Sequence, residues 1–222
     1  MAIKTFCTKN RFVFLLIALA VLLLGYPYPA DTRLGAFIGG MISLLLMMAS
    51  VYTVWVHKRV FIVSCGLMVI AAALSIHSLI AGTRGDPLVE GAFSVFYAYM
   101  TVVIFLEVIR TEQVRLDTIY GTVCVYLLIG VTFGTLYDLI ETLHPGSFQW
   151  HIVAETGSSL GWRQLIFYSF MTLTTVGYGD ITPVTSQAQS LAIVEGTLGV
   201  LYVAVLIARI VGIYSGENRL SG

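Results

Sequence analysis

A seven-residue run near the C-terminal end of the chain has the residue types needed to coordinate a bare cation. It reads TTVGYGD, covers Thr174–Asp180, and lies between two hydrophobic segments. Successive main-chain carbonyls turn to one side when the sign of φ alternates, and glycine adopts positive φ without a Cβ clash. Gly177 and Gly179 are two residues apart, as this geometry requires. The run therefore predicts stacked oxygen layers that replace the hydration shell of a potassium ion. A glycine-rich turn between two helices is the alternative interpretation.

The individual residues of the run suggest separate tasks. We expect Thr175 to add a hydroxyl ring at the inner entrance, Val176 to keep the wall apolar, and the Tyr178 ring to point into the surrounding protein as a strut. No organic cofactor is expected, only K+ ions. The oxygens that coordinate these ions are expected from Thr175, Val176, Gly177, Tyr178 and Gly179.

The composition indicates a membrane protein. The chain has 222 residues, of which 58% are hydrophobic and 11% charged, and its mean hydropathy is +0.90. Such a chain is too apolar for a soluble domain. The net charge is zero, with 12 basic and 12 acidic residues, so the charge gives no support for a nucleic-acid partner. We expect membrane lipids as partners and no enzymatic activity.

Six apolar stretches are near the ~20 residues needed to cross a bilayer; they cover about 12–26, 34–56, 60–81, 88–109, 119–139 and 188–214. The apolar segment Trp162–Thr174 has about 13 residues and is too short to span. Irregular main chain at membrane depth is tolerated only where protein buries it or where it lines a cavity. The prediction is an all-α membrane protein with six transmembrane helices plus a re-entrant pore helix and filter per subunit.

The domain prediction follows from these segments. Residues 1–110 form a four-helix transmembrane domain, 111–118 an interfacial linker, 119–214 a pore domain, and 215–222 a short cytoplasmic tail that leaves no room for a regulatory domain. With the N-terminus inside, nine of the twelve basic residues fall on the cytoplasmic side, as the positive-inside rule requires. Both termini are therefore expected in the cytoplasm.

The run from Thr172 to Asp180 resembles the signature of tetrameric potassium channels, and Ile181–Thr185 is similar to the sequence that follows it in bacterial members. The resemblance covers about residues 118–213, whereas residues 1–110 match only in the number and spacing of hydrophobic segments. It implies a potassium-selective channel of the bacterial inner membrane. Because one chain supplies one strand of the filter, a closed homotetramer is expected.

The surroundings of the filter depart from one bacterial pattern. Some relatives carry an acid in the pore helix that pairs with the filter aspartate, and here the residue is Met171. Asp180 therefore lacks its familiar partner. Tyr168 is expected to donate a hydrogen bond to Asp180 or to meet the Tyr178 hydroxyl, and plain helix packing by Phe167 and Tyr168 is the alternative.

Glu195 is the one acid deep in the sixth span, where an ionisable side chain usually has a partner. We expect it to be buried, and either protonated or hydrogen-bonded to the pore-helix end near Thr172 or Thr174; a water-facing position is the alternative.

Gly199 matches the hinge glycine of relatives, or else permits close helix packing. An apolar gate, or alternatively a lipid-facing or packing surface, is expected at Val203, Ala204, Ile207 and Ala208.

The first four spans argue against strong voltage gating. The fourth span has no basic residue before its inner end, and gating needs charges that cross the field. Glu107 is expected to pair with Arg110.

Two other functions stay open: a weakly selective cation channel, and a membrane transporter or accessory subunit. A transporter would need paired acids within the membrane, and Glu195 is the only deep acid that the sequence indicates.

Overall fold

The fold is known from a computed structural model that describes residues 11–25, 33–82, 85–110, 116–151 and 160–220. Most of the predicted interfacial linker, residues 111–115, lies outside the described residues. Seven helices and two short strands follow one another in the described ranges: α1 (Arg11–Leu24), α2 (Arg33–Thr53), α3 (Lys58–Ala81), α4 (Pro87–Arg110), α5 (Leu116–Leu143), β1 (Phe148–Trp150), α6 (Trp162–Leu173), β2 (Ile181–Pro183) and α7 (Ser186–Leu220).

Four of the described helices are long and apolar enough to cross a membrane: Lys58–Ala81, Pro87–Arg110, Asp117–Leu143 and Ser186–Ala208. Two other apolar stretches, Arg11–Leu24 and Ile38–Thr53, are shorter. At 1.5 Å per residue the 14 residues of α1 reach only about 21 Å, less than the ~30 Å hydrocarbon core. Four of the six predicted spans therefore have described helices that meet both requirements, length and apolar composition, and the count of six stays a prediction.

The chain divides into two compact units. One contains residues Met1–Ala73 and Val95–Leu128, and the other contains Leu74–Ser94 and Ile129–Gly222. The boundaries between the units fall inside continuous helices, so the units are groups of residues that pack together and are not successive segments of the chain. The domain boundaries expected from the sequence stay a prediction.

An ion pair joins three elements of the first unit. Arg11 Nη2 at the start of α1 lies 2.5 Å from Glu107 Oε1 near the end of α4. Arg11 Nη1 also donates to the carbonyl oxygen of Thr53, the last residue of α2, at 3.3 Å. That carbonyl has no partner within its own helix, because the last carbonyls of any helix lack one. His57 Nε2 lies 3.8 Å from the same Glu107 oxygen. Glu107 thus binds a distant arginine, which the expected local pairing with Arg110 did not anticipate.

The second unit is organised around the short helix α6, which packs against α5 at two glycines. A Cβ at Gly130 would lie 2.8 Å from the Phe170 ring, and one at Gly134 would lie 2.6 Å from the Ile166 side chain. These glycines form a G-x-x-x-G sequence, the spacing that lets membrane helices approach closely. On the other side, a Cβ at Gly199 of α7 would lie 2.2 Å from the Leu173 carbonyl oxygen. Close packing at glycine therefore sets the position of α6.

An aromatic cluster fills the space between α5, α6 and the segment before α6. The rings of Tyr137, Phe148 and Tyr168 make three edge-to-face contacts with centroid distances of 5.0 to 5.3 Å. Such pairs contribute about 0.5–1.5 kcal/mol each beyond their buried area. The same core contains further apolar side chains: Phe133, Leu165, Ile181 and Ala188.

A two-stranded antiparallel ribbon joins the segment that precedes α6 to the segment that follows the TTVGYGD run. Phe148 pairs with Pro183, and Trp150 pairs with Ile181. The Ser147 carbonyl also accepts a hydrogen bond from the Val184 N–H at 2.8 Å. The segment between α5 and α6 therefore holds the C-terminal end of the TTVGYGD run in place.

We predict that the Arg11–Glu107 pair stabilises the first unit. The side chains are 18% and 13% exposed, so removing one partner leaves a poorly solvated charge. Arg11→Gln and Glu107→Gln should each lower the free energy of unfolding by about 1–3 kcal/mol. A double-mutant cycle in detergent measures the coupling, with the exposed Lys58→Gln as a near-neutral control. Additive losses from Arg11→Gln and Glu107→Gln would contradict the pairing.

We also predict that Gly199 is a packing position. Gly199→Ala should destabilise the protein by about 1–3 kcal/mol, because the new methyl group meets main-chain atoms that cannot move aside. Gly196→Ala is the matched control, since its Cβ would meet nothing closer than 3.9 Å and alanine favours the helix by about 0.5–1 kcal/mol. Thermal unfolding of the two variants gives the comparison. Equal stability of both would favour the hinge interpretation.

Candidate pore site

The main chain after α6 has the alternating conformation that the sequence predicts. Gly177 has φ +55° and Gly179 has φ +78°. A Cβ at either glycine would meet no atom within 4 Å, so glycine is required there for its backbone conformation and not for space. The alternation also extends to Thr175, whose φ is +60° although it is not glycine. Three positive-φ residues thus occur at every second position.

The N–H groups of this segment are bound to the end of α6. Thr175 N–H donates to the Thr172 carbonyl at 3.0 Å, and the N–H groups of Val176 and Gly177 donate to the Met171 carbonyl at 3.0 and 3.1 Å. Among the main-chain hydrogen bonds of the described residues, none is accepted by a carbonyl of Thr175–Gly179. Three of its five N–H groups therefore have acceptors at the end of α6, while its carbonyl oxygens accept no main-chain hydrogen bond within the described residues, an arrangement that suits a cation.

The outer end of the segment is held by the ribbon. The Asp180 carbonyl accepts a hydrogen bond from the His151 N–H at 2.7 Å, and Asp180 Oδ1 accepts one from the Ile181 N–H at 3.0 Å. His151 Nε2 lies 2.8 Å from Thr182 Oγ1. Asp180 thus has hydrogen-bond partners in the ribbon and in the residue that follows it, and none of these contacts involves Met171. His151 was not among the residues predicted for filter support.

Tyr168 lies elsewhere than expected. Its ring is buried against Tyr137 and Phe148, and its side chain shares a hydrogen bond with Thr172. Phe167, one position earlier, is the residue that stacks on Tyr178, with a centroid distance of 6.4 Å. The reason is helical geometry: neighbouring residues point about 100° apart, so Tyr168 faces the aromatic cluster when Phe167 faces the Tyr178 ring.

Glu195 is fully buried, as expected, and the water-facing alternative is wrong. Its Oε2 accepts a hydrogen bond from the Tyr137 hydroxyl at 2.6 Å, and its Oε1 is in close hydrogen-bond contact with Ser169 Oγ. The expected partners near the end of the pore helix, Thr172 and Thr174, are not the ones observed. Thr174 Oγ1 instead donates to the Phe170 carbonyl at 2.6 Å.

The candidate gate residues lie on the outer surface of α7. Glu195 and Gly199 are buried on one face of this helix, whereas Val203 and Ile207 are 40% and 57% exposed. Ala204 and Ala208 are exposed as well. Within one chain this surface is available to a pore or to neighbouring subunits, and both the gate and the Gly199 hinge stay predictions.

Sequence reasoning missed the tyrosine and the serine that hold Glu195. Their separations from Glu195 are 58 and 26 residues, so no local pattern connects them. One usable signal was present: G-x-x-x-G at Gly130 and Gly134 marks the face of α5 on which a partner helix lies close.

Known proteins match the part of the chain that carries this site. The family model described as ion channel matches residues 122–215. Protein LctB of Geobacillus stearothermophilus is 30% identical over 107 residues, which cover 46% of this chain and 75% of that protein. The chain belongs to the ion channel family. The matched part of the channel begins in α5 and includes α6, the Thr175–Gly179 segment and most of α7, which confirms the predicted resemblance. No solved structure matches the channel.

Family membership confirms two coarser expectations. The channel is a multi-pass membrane protein, and four of its described helices have the length and composition for this. The channel is also not an enzyme, because the family's task is passage of ions.

We predict that positive φ at Gly179 is needed for cation binding. An L-residue in this conformation costs about 1–2 kcal/mol, so Gly179→Ala should weaken the stabilisation that bound cations give. The measurement is thermal unfolding at increasing KCl, with constant ionic strength. Gly91→Ala is the control, since Gly91 lies in α4 with open space around it. An unchanged potassium-dependent shift in Gly179→Ala would contradict the assignment.

Proposed function

We propose that this protein is a potassium-selective channel and that Thr175–Gly179 is its selectivity filter. The observation that carries the proposal is the main-chain arrangement, in which φ is positive at every second residue from Thr175 to Gly179. The N–H groups on the inner side bind the end of α6, and the carbonyls have no main-chain donor within the described residues. Free carbonyls at this spacing replace the water shell of K+.

The pore helix adds an electrostatic contribution. Helix α6 ends at Leu173, directly before the filter, and the C-terminal end of a helix carries a partial negative charge. A cation near this end is therefore stabilised. Repulsion between ions in neighbouring filter sites then moves them through the pore, so that conduction is passive.

The proposed assembly is a homotetramer in the bacterial inner membrane, with both termini in the cytoplasm. One chain supplies one strand of the filter, and a closed ring of four surrounds the ion. Within a single chain Val176 is 49% exposed and Tyr178 is 72% exposed. Neighbouring subunits would cover these apolar side chains. Along α7, the exposed positions from Val203 to Ala208 would face the axis or an adjacent subunit, and an apolar constriction there closes by dewetting.

A transporter is the second candidate, and one observation favours it. The carboxyl groups of Glu90 in α4 and Asp138 in α5 share a hydrogen bond, and Asp138 is only 7% exposed. The structure thus contains an acid pair, which the sequence reasoning did not anticipate. The channel remains the better explanation because a transporter does not account for the main-chain conformation of Thr175–Gly179.

The test is recording from the purified protein in planar bilayers. We expect single-channel steps whose reversal potential follows the potassium gradient, and little change of open probability with voltage, because α4 has its one basic residue at its last position, Arg110. Equal permeability to sodium would contradict selectivity. Cation flux without single-channel steps would favour the transporter. Chemical crosslinking should stop at four subunits, and a monomer or dimer would contradict the assembly.

A further inference from the structure

A buried polar network connects the three helices α5, α6 and α7. Glu195 belongs to α7, Ser169 to α6 and Tyr137 to α5, and all three side chains are fully buried. Tyr137 Oη and Glu195 Oε2 are 2.6 Å apart, and Ser169 Oγ contacts Glu195 Oε1. Ser169 Oγ also lies 2.7 Å from the Gly130 carbonyl oxygen of α5. The network thus has three hydrogen-bond contacts.

Counting protons determines the direction of each bond. The Gly130 carbonyl only accepts, so Ser169 must give it the one hydroxyl proton that serine has. The contact between Ser169 Oγ and Glu195 Oε1 then needs a proton on Oε1. The Oε2 atom consequently has no proton, and Tyr137 donates to it. An ionised Glu195 is an acceptor only and would leave one of the three contacts without a proton.

The surroundings of the carboxyl group agree with this count. Glu195 takes part in no ion pair with a described residue, so no cation in the described part of the chain compensates a charge on it. A buried carboxylate without a cation is strongly unfavourable. A neutral acid with all its bonds satisfied is acceptable in the same place.

We propose that Glu195 is a neutral carboxylic acid that acts as a positioning residue for the filter by joining α7 to α6 and α5. This proposal rests on the proposed function, because it assumes that the segment after α6 is the filter. Ser169 lies on α6, whose carbonyls at Met171 and Thr172 accept the filter N–H groups. One turn after Glu195, Gly199 contacts the Leu173 carbonyl. A displacement of α7 therefore shifts the helix end from which the filter starts.

The decisive variant is Glu195→Gln. Its amide group donates to Ser169 through nitrogen and accepts from Tyr137 through oxygen, so it reproduces the bonds of the neutral acid and not those of a carboxylate. We expect Glu195→Gln to keep the wild-type thermal stability, potassium-to-sodium permeability ratio and sustained open probability. Glu195→Ala should lose sustained open probability by about tenfold, as expected for unpaired buried hydroxyls near the filter.

Two further variants keep the test independent of whether Glu195→Ala folds. Tyr137→Phe removes only the hydroxyl that donates to Oε2 and should reduce sustained open probability in the same direction. Tyr120→Phe, the same change at a half-buried position of the same helix, should have no effect. Infrared difference spectra of wild type against Glu195→Gln should contain the carbonyl band of a protonated carboxylic acid.

Each outcome decides a separate question. A carboxylate band in the difference spectrum, or a Glu195→Gln protein that behaves like Glu195→Ala, would overturn the neutral acid. The positioning role would be overturned if Glu195→Ala and Tyr137→Phe were less stable to heat but kept the wild-type permeability ratio and open probability. A wild-type protein without potassium currents would instead overturn the proposed function, and the infrared spectrum would still test the protonation of Glu195.

Discussion

The proposed filter depends on main-chain hydrogen bonds from three of its own N–H groups to the last carbonyls of α6. The Met171 carbonyl accepts two of these bonds and the Thr172 carbonyl accepts a third. Each bond supplies a donor to a carbonyl at the end of a helix, which lacks one within the helix. Each bond also supplies an acceptor to an N–H group of a segment that has no neighbouring strand. Because the donors are used in this way, the carbonyls of Thr175–Gly179 remain for an ion. The position and direction of α6 therefore determine where the oxygen atoms lie.

A helix of 12 residues cannot position itself in a membrane, so its neighbours must hold it. Gly130 and Gly134 let α6 lie against α5, and Gly199 brings α7 to its last carbonyl. These contacts are steric and limit only how closely the helices approach. The hydrogen bonds of Glu195 with Tyr137 and Ser169 add direction, because they form at one relative rotation of the three helices.

The sequence predicts those features of the site that local geometry determines. Gly177 and Gly179 indicate positive φ because glycine alone adopts it at little cost, and the length of the apolar segment predicts α6 to within one residue. Thr175 was not predicted to have positive φ, since an L-residue resists it and only the surrounding bonds impose it. The partners of Glu195, Asp180 and Glu107 could not be predicted. Apart from the adjacent Ile181 N–H that binds Asp180, these partners lie 26 or more residues away in the chain, and their contacts arise from packing.

The satisfied N–H groups of the filter have a consequence for biogenesis. The donors of Thr175, Val176 and Gly177 all find their acceptors within the same polypeptide, so in the proposed tetramer each subunit forms these bonds without a neighbouring copy. Oligomerisation can then proceed as docking of preformed surfaces, without the ordering entropy that coupled folding and binding requires. Variants that loosen α6 should accordingly slow assembly in the cell before they alter any current.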